Sequence, residues 1–171
     1  MDKPSFVYTT YIQTTPERLW QALTDPAFTE RYWGTTLESD WSPGSSITWH
    51  TRGLTIADAE QVVVESEPHR RLAYTWQTFT AEWAESFDLT AEARARLAAE
   101  PRSTVTFEIE ALGDQVKLTV THHGLEPGGI TGALISQGWP RVIANLKTLL
   151  ETGRALPHLE QNTPARLGLT R

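Results

Sequence analysis

The sequence predicts an α+β domain: an antiparallel sheet preceded by two short helices and followed by one long carboxy-terminal helix. Two patterns carry this. Several runs alternate apolar and polar residues with a period of two and are joined by short turns, as in antiparallel hairpins. From about Ile130 to Thr152 the apolar residues instead recur at three- and four-residue steps, the mark of an amphipathic helix.

The first strand is expected over Phe6 to Gln13, with Phe6, Tyr8, Thr10 and Ile12 on one face. Thr14-Thr15-Pro16-Glu17 reads as a helix start, since a threonine oxygen accepts from free N–H groups and proline is tolerated in the first turn. Leu19, Trp20 and Leu23 share a face of that helix. Asp25-Pro26 ends it and opens a second, which carries Phe28, Tyr32 and Trp33 before Gly34. Strand patterns follow over Thr36–Trp41, Ile47–Arg52, Thr55–Glu65 and Arg71–Phe79. After an interruption they resume at Thr104–Ala111 and Val116–His123. Ser42-Pro43-Gly44-Ser45 has proline and glycine where a type II turn needs them. In the last helix Ile135, Trp139, Val142, Leu146, Leu149 and Leu150 form the stripe, and Gly153 is the stop. Pro140 cannot donate to the Ser136 carbonyl, which predicts a kink near Ser136–Pro140, with a break into two helices as the alternative. Residues 1–153 are expected to form a single domain. The tail, 154–171, shows little periodicity and reads as a partly ordered arm.

Composition narrows the function classes. The chain has 171 residues, enough for one well-buried core, and a formal net charge of −6 without a lysine- or arginine-rich block. Nucleic acid and anionic membrane surfaces are therefore not expected partners. There is no cysteine, which removes disulfides and thiolate chemistry together. Met1 to Ser5 lacks the pattern of a secretory signal, and no apolar run approaches the ~20 residues of a membrane span. A cytoplasmic protein is the expectation. Seven tryptophans suit either a dense core or a pocket for a flat apolar molecule.

The order strand, two helices, six strands, long helix matches the helix-grip fold, a seven-stranded curved antiparallel sheet with the last helix across its concave face. The sequence resembles the family of the activator of heat-shock-protein-90 ATPase homologues, within the START-related (SRPBCC) superfamily. The resemblance rests on Ile12–Leu23 (IQTTPERLWQAL), Asp25-Pro26 leading to Tyr32-Trp33-Gly34, Glu67 to Trp76 (EPHRRLAYTW), and Gly138-Trp139-Pro140 through Leu146, Leu149 and Leu150. It covers about residues 6–152. Residues 80–101 depart from it as an inserted helical segment between strands five and six. There Trp83 and Phe87 are four apart, Leu89, Ala93 and Leu97 repeat that spacing, and Thr90 is placed to cap a helix. Because loops of an antiparallel run alternate between sheet ends, this insertion shares one end with Arg52-Gly53-Leu54 and with Gly124–Gly129. In helix-grip proteins that end resembles the cavity mouth, so Trp83, Phe87 and Leu97 are candidates for a lid or a homodimer contact.

The resemblance implies a cavity between sheet and helix that takes a small hydrophobic molecule. Trp49, Tyr74, Trp76, Val120, His122, Ile135 and Trp139 are expected to converge on it, with Trp33 nearby and Phe87 at the mouth. Filled core packing is the competing reading for each ring. Related folds include polyketide cyclases, so a cyclase- or dehydratase-like enzyme using His122 with Tyr74 is the alternative, with Asp58 or Glu60 as further acids if their register turns them inward. No catalytic residue is assigned. His122-His123 with His50 or Glu126 is a poor metal set, because adjacent strand residues face opposite ways. No metal or cofactor is expected. The family name also implies chaperone binding, which the sequence does not favour, since the eukaryotic activators also use a separate amino-terminal domain.

Overall fold

The computed structural model describes residues 5–157 and 162–171; the Met1–Pro4 segment read above for targeting signals lies outside them, as does 158–161 of the tail. Strand β1 (Phe6–Ile12) leads into helices α1 (Pro16–Thr24) and α2 (Pro26–Trp33). The threonine start is realised: Thr15 Oγ1 accepts from the Arg18 amide at 3.2 Å. Asp25 ends α1 and caps α2, its Oδ1 accepting from the Ala27 amide at 2.9 Å. Gly34 then closes α2 at φ +73, a backbone state that favours glycine.

Among the described residues eight strands, not seven, follow from the alternating runs, and they form two sheets. β2 (Thr35–Glu38), β3 (Thr48–Thr51) and β4 (Leu54–Ile56) make a three-stranded antiparallel sheet. β5 (Val63–Glu67), β6 (Arg71–Thr75), β7 (Thr104–Leu112) and β8 (Gln115–His123) join β1 in the order β1-β8-β7-β6-β5. The single seven-stranded sheet is thus corrected, and the cause is local. The expected strand Thr55–Glu65 is cut by a turn at Asp58, whose carbonyl accepts from the Gln61 amide at 3.0 Å and whose side chain accepts from the Glu60 amide at 2.8 Å. Aspartate favours this geometry because its carboxylate replaces a ladder partner. The two sheets stay connected through an irregular ladder, Ile47 N to Gln61 O at 2.8 Å and Val63 N to Ser45 O at 2.9 Å. Fully buried Gln61 stitches this seam, donating to the Ile47 and Ile56 carbonyls and accepting from the Thr78 amide.

The insertion folds as α3 (Ala81–Ser86) and α4 (Ala91–Ala99), capped by Thr80 and Thr90. Helix α5 (Ile130–Thr152) runs through Pro140 without the break considered above. Its Ile135, Trp139, Ile143, Leu146 and Leu149 are buried. Roughly 1.5–3 kcal/mol for each such side chain outweighs the ~3 kcal/mol that an interior proline costs. Val142 and Leu150, expected on the stripe, are only half-buried. Glu100, at the end of the insertion, receives the Ile130 amide and, at 2.9 Å, the Thr131 amide. An acid here suits the positive end of the α5 dipole. The free edge of β1 is covered by α5: Lys147 Nζ donates to the Tyr11 carbonyl at 2.6 Å and Glu151 accepts from the Gln13 amide at 3.0 Å.

Residues 162–171 form the short helix α6 (Thr163–Arg166) and a β-bridge from Thr170 to Leu89 of the insertion.

Candidate ligand pocket

Aromatic rings fill most of the space between the sheets and α5. Trp33 lies 5.5 Å from Trp139 and 6.0 Å, stacked, from Trp76. Trp49 meets Trp76 edge-on at 4.9 Å, and Phe107 meets Trp139 at 5.7 Å. Such pairs contribute about 0.5–1.5 kcal/mol each beyond the area they bury. The middle of the concave surface is therefore solid. Hollow space survives at one end, where the insertion, the first half of α5 and α6 meet, as a cavity of about 170 Å³ that is partly open to solvent.

The expected site residues divide across these two regions. Trp33, Trp76, Phe87, Ile135 and Trp139 line the cavity. Trp49, Tyr74, Val120 and His122 do not; each is at most 1% exposed and packed in the core. Sequence reasoning missed Gln77, Leu134, Gly138, Val142, Thr163 and Pro164, which complete the lining with Trp83. Leu134, Gly138 and Val142 carried a signal, since their four-residue spacing forms a second stripe beside Ile135 and Trp139. Thr163 and Pro164 carried none.

Of the insertion, Trp83 and Phe87 face this cavity, and Leu97 on α4 is not in its lining. Trp83 is 6% and Leu97 4% exposed, so their apolar surface is spent within the chain. Arg52, in the β3–β4 turn, clamps the insertion from outside. Its Nη2 donates to the Ser86 carbonyl at 2.7 Å, and its guanidinium sits 4.0 Å over the Phe87 ring, a cation–π contact. The β3–β4 turn and the start of α5 thus both touch the insertion.

His122 is held in one protonation state by its partners. An indole N–H only donates, so Trp139 Nε1, 3.2 Å from His122 Nδ1, makes that nitrogen the acceptor. The proton then sits on Nε2, which donates to Ser103 Oγ at 2.7 Å. Burial, followed by the neighbouring His123 charge, pulls the His122 pKa down to about 3. The ring is neutral at physiological pH and has no free acceptor, so it cannot take a proton from Ser103 or from a substrate. Burial likewise pushes the Tyr74 hydroxyl well above its ordinary value. Asp58 lies outside the cavity, hydrogen-bonded to Thr78 Oγ1 at 2.6 Å with Arg102 at 3.4 Å; these contacts, the Thr78 bond foremost, lower its pKa. Glu60 is exposed and faces the same Arg102. No cluster of metal-ligating side chains occurs among the described residues, and His50 instead lies 3.1 Å from Glu38.

A long helix gripped by antiparallel strands, with a residual apolar cavity along its first half, defines a helix-grip protein of the START-related (SRPBCC) class. Residues 13–151 match the family described as activator of Hsp90 ATPase homolog 1-like protein, and the chain belongs to that family. Among solved structures it is similar to protein MLL2253 of Mesorhizobium loti, with 23% identity, 86% of this chain and 96% of that one covered, and a TM-score of 0.67. It is also similar to the Aha1 dimer of Colwellia psychrerythraea (18% identity, 89% and 99% covered, TM-score 0.65). A third is CalU16 of Micromonospora echinospora (17% identity, 96% and 87% covered, TM-score 0.64). At these identities the likeness speaks for the fold. No curated protein matches the chain. No helix among the described residues is long and apolar enough to cross a membrane.

Proposed function

We propose that this protein binds a small, neutral, ring-bearing hydrophobic molecule in the cavity between α5, the insertion and α6. The observation that carries this is the lining: four tryptophans and a phenylalanine with Leu134, Ile135 and Val142, and no titratable side chain. Apolar walls with few polar groups are what small-molecule sites use. A dry cavity of roughly 150 Å³ already holds a benzene ring, which sets the scale for a cavity of about 170 Å³. Catalysis of the cyclase type would need convergent acids or bases, and the two residues suited to it, His122 and Tyr74, stay sealed in the core. Binding is the better reading.

Gly138 supplies the test. No neighbouring atom lies within 4 Å of where its Cβ would sit, and it lines the cavity from a helix interior. Gly138→Leu is expected to raise stability by about 1 kcal/mol through helix propensity while its side chain occupies the cavity. Calorimetry with toluene should show binding to the wild type and none to the variant. Unchanged toluene affinity in a stably folded Gly138→Leu protein would remove this cavity as the seat. Native mass spectrometry of freshly purified protein would give the mass of any retained natural ligand.

A further inference from the structure

Three of the cavity's walls are firmly built. Helix α5 presents buried Ile135 and Trp139, and α2 and the segment just after β6 supply Trp33 and Trp76 from the interlocked aromatic core. Helix α3 presents buried Trp83 and is clamped by Arg52. The remaining wall, Thr163 and Pro164, belongs to the strap of residues 162–171. That strap is anchored on the insertion by a minimal bridge. Thr90 N donates to the Leu169 carbonyl at 2.9 Å and Arg171 N to the Asp88 carbonyl at 2.9 Å, on either side of the Leu89–Thr170 pair. One ion pair, Arg171 to Asp88 at 2.6 Å, joins them, with side chains 63% and 59% exposed. Exposed pairs of this kind add little and are screened by salt. Asp88 itself sits at φ +56, a left-handed state that costs a residue with a Cβ. Pro164 is the strap's buried residue, and Leu169 is half-buried.

We propose that this strap is the displaceable wall of the pocket: docked, it limits the site to a single-ring ligand, and released, it admits a larger one. The inference rests on the cavity reading above and adds its regulation. Size makes the argument. Ligand sites commonly span roughly 300–1,000 Å³, whereas about 170 Å³ is present with the strap docked. The core rings cannot give way without dismantling the fold. The strap can leave by breaking two bridging hydrogen bonds and a solvated ion pair and exposing Pro164 and Leu169.

The absence of cysteine allows a clean lock. Leu89 and Thr170 face each other as a non-hydrogen-bonded antiparallel pair, the geometry with Cα atoms roughly 4.5 Å apart and so inside the range a disulfide spans. In the Leu89→Cys/Thr170→Cys protein, toluene should bind within twofold in the oxidised and reduced forms. N-phenyl-1-naphthylamine should bind the reduced form at least tenfold more tightly than the oxidised one. Equal affinity of both forms for the naphthylamine, including no affinity in either, would overturn the proposal while toluene binding kept the cavity reading intact. If neither probe bound even the wild type, both would fall. Arg171→Glu, which sets like charges against each other at Asp88, decides the matter independently should the cysteine pair impair folding. It is expected to speed hydrogen exchange at the Thr90 amide and to tighten naphthylamine binding about fivefold, leaving toluene unchanged. No change in naphthylamine affinity would refute the strap's role.

Discussion

Acidification should weaken this fold through one residue, His122. In the folded chain its pKa is about 3, against an ordinary value of 6.5, because burial disfavours the charged ring and the neighbouring His123 charge adds to this. Between those two values the unfolded chain binds the proton and the folded chain does not, so stability rises with pH across the window and is fully present above about 6.5. As pH falls toward 3 the loss approaches roughly 5 kcal/mol at about 1.4 kcal/mol per pH unit. Between pH 7.5 and 5.0 it amounts to about 2 kcal/mol, a large share of the ~5–15 kcal/mol typical of a domain. Asp40, Asp58 and Glu151 have lowered pKa values, so their contributions are lost only as pH falls through those values, below this interval. Urea unfolding at the two pH values should therefore show the drop in the wild type and its near disappearance in His122→Gln, whatever that variant loses at pH 7.5. If both proteins lost the same stability over the interval, the neutral, fully engaged His122 would be the wrong account.

Two further substitutions probe the frame around the site. Gln61→Leu leaves the Ile47 and Ile56 carbonyls and the Thr78 amide without their side-chain partner; a loss of about 3 kcal/mol in urea unfolding is expected, and under 1 kcal/mol would mean that the seam between the sheets is held otherwise. Pro140→Ala restores an N–H that can donate to the Ser136 carbonyl inside a continuous helix; it should raise stability by about 1 kcal/mol, and a lower melting temperature would show that α5 needs the proline's shape.

Much of the fold was legible because its signals are local. Thr15, Asp25 and Thr90 cap helices by reaching their own backbone two or three residues on, a geometry the chain carries with it. The type II turn at Pro43-Gly44 has its glycine at φ +85. Strand breaks were harder to see. Asp58 to Gln61 interrupts a run whose alternation looked continuous, since the turn depends on Gln61 reaching the distant Ile47 carbonyl as well as that of Ile56. The span of α5, by contrast, was legible from its stripe, and it stays one helix through Pro140 because burial elsewhere along it outweighs a local penalty.

The site follows the same division. Alternation on the strands and the stripe on α5 set which faces are apolar, and the family resemblance implied that Trp49, Tyr74, Trp76, His122 and Trp139 meet at one interior surface. Whether an interior residue borders empty space depends on how neighbouring volumes add up, and no periodicity encodes that sum. Four indoles, Tyr74 and Phe107 fill the centre and leave room only toward α6. By itself the sequence determined most of the elements and their faces, because those follow from short-range chemistry, and its motifs pointed to the family. Only the tertiary structure decided where the hollow lies and that Thr163 and Pro164 wall it, because both depend on contacts between segments far apart in the chain.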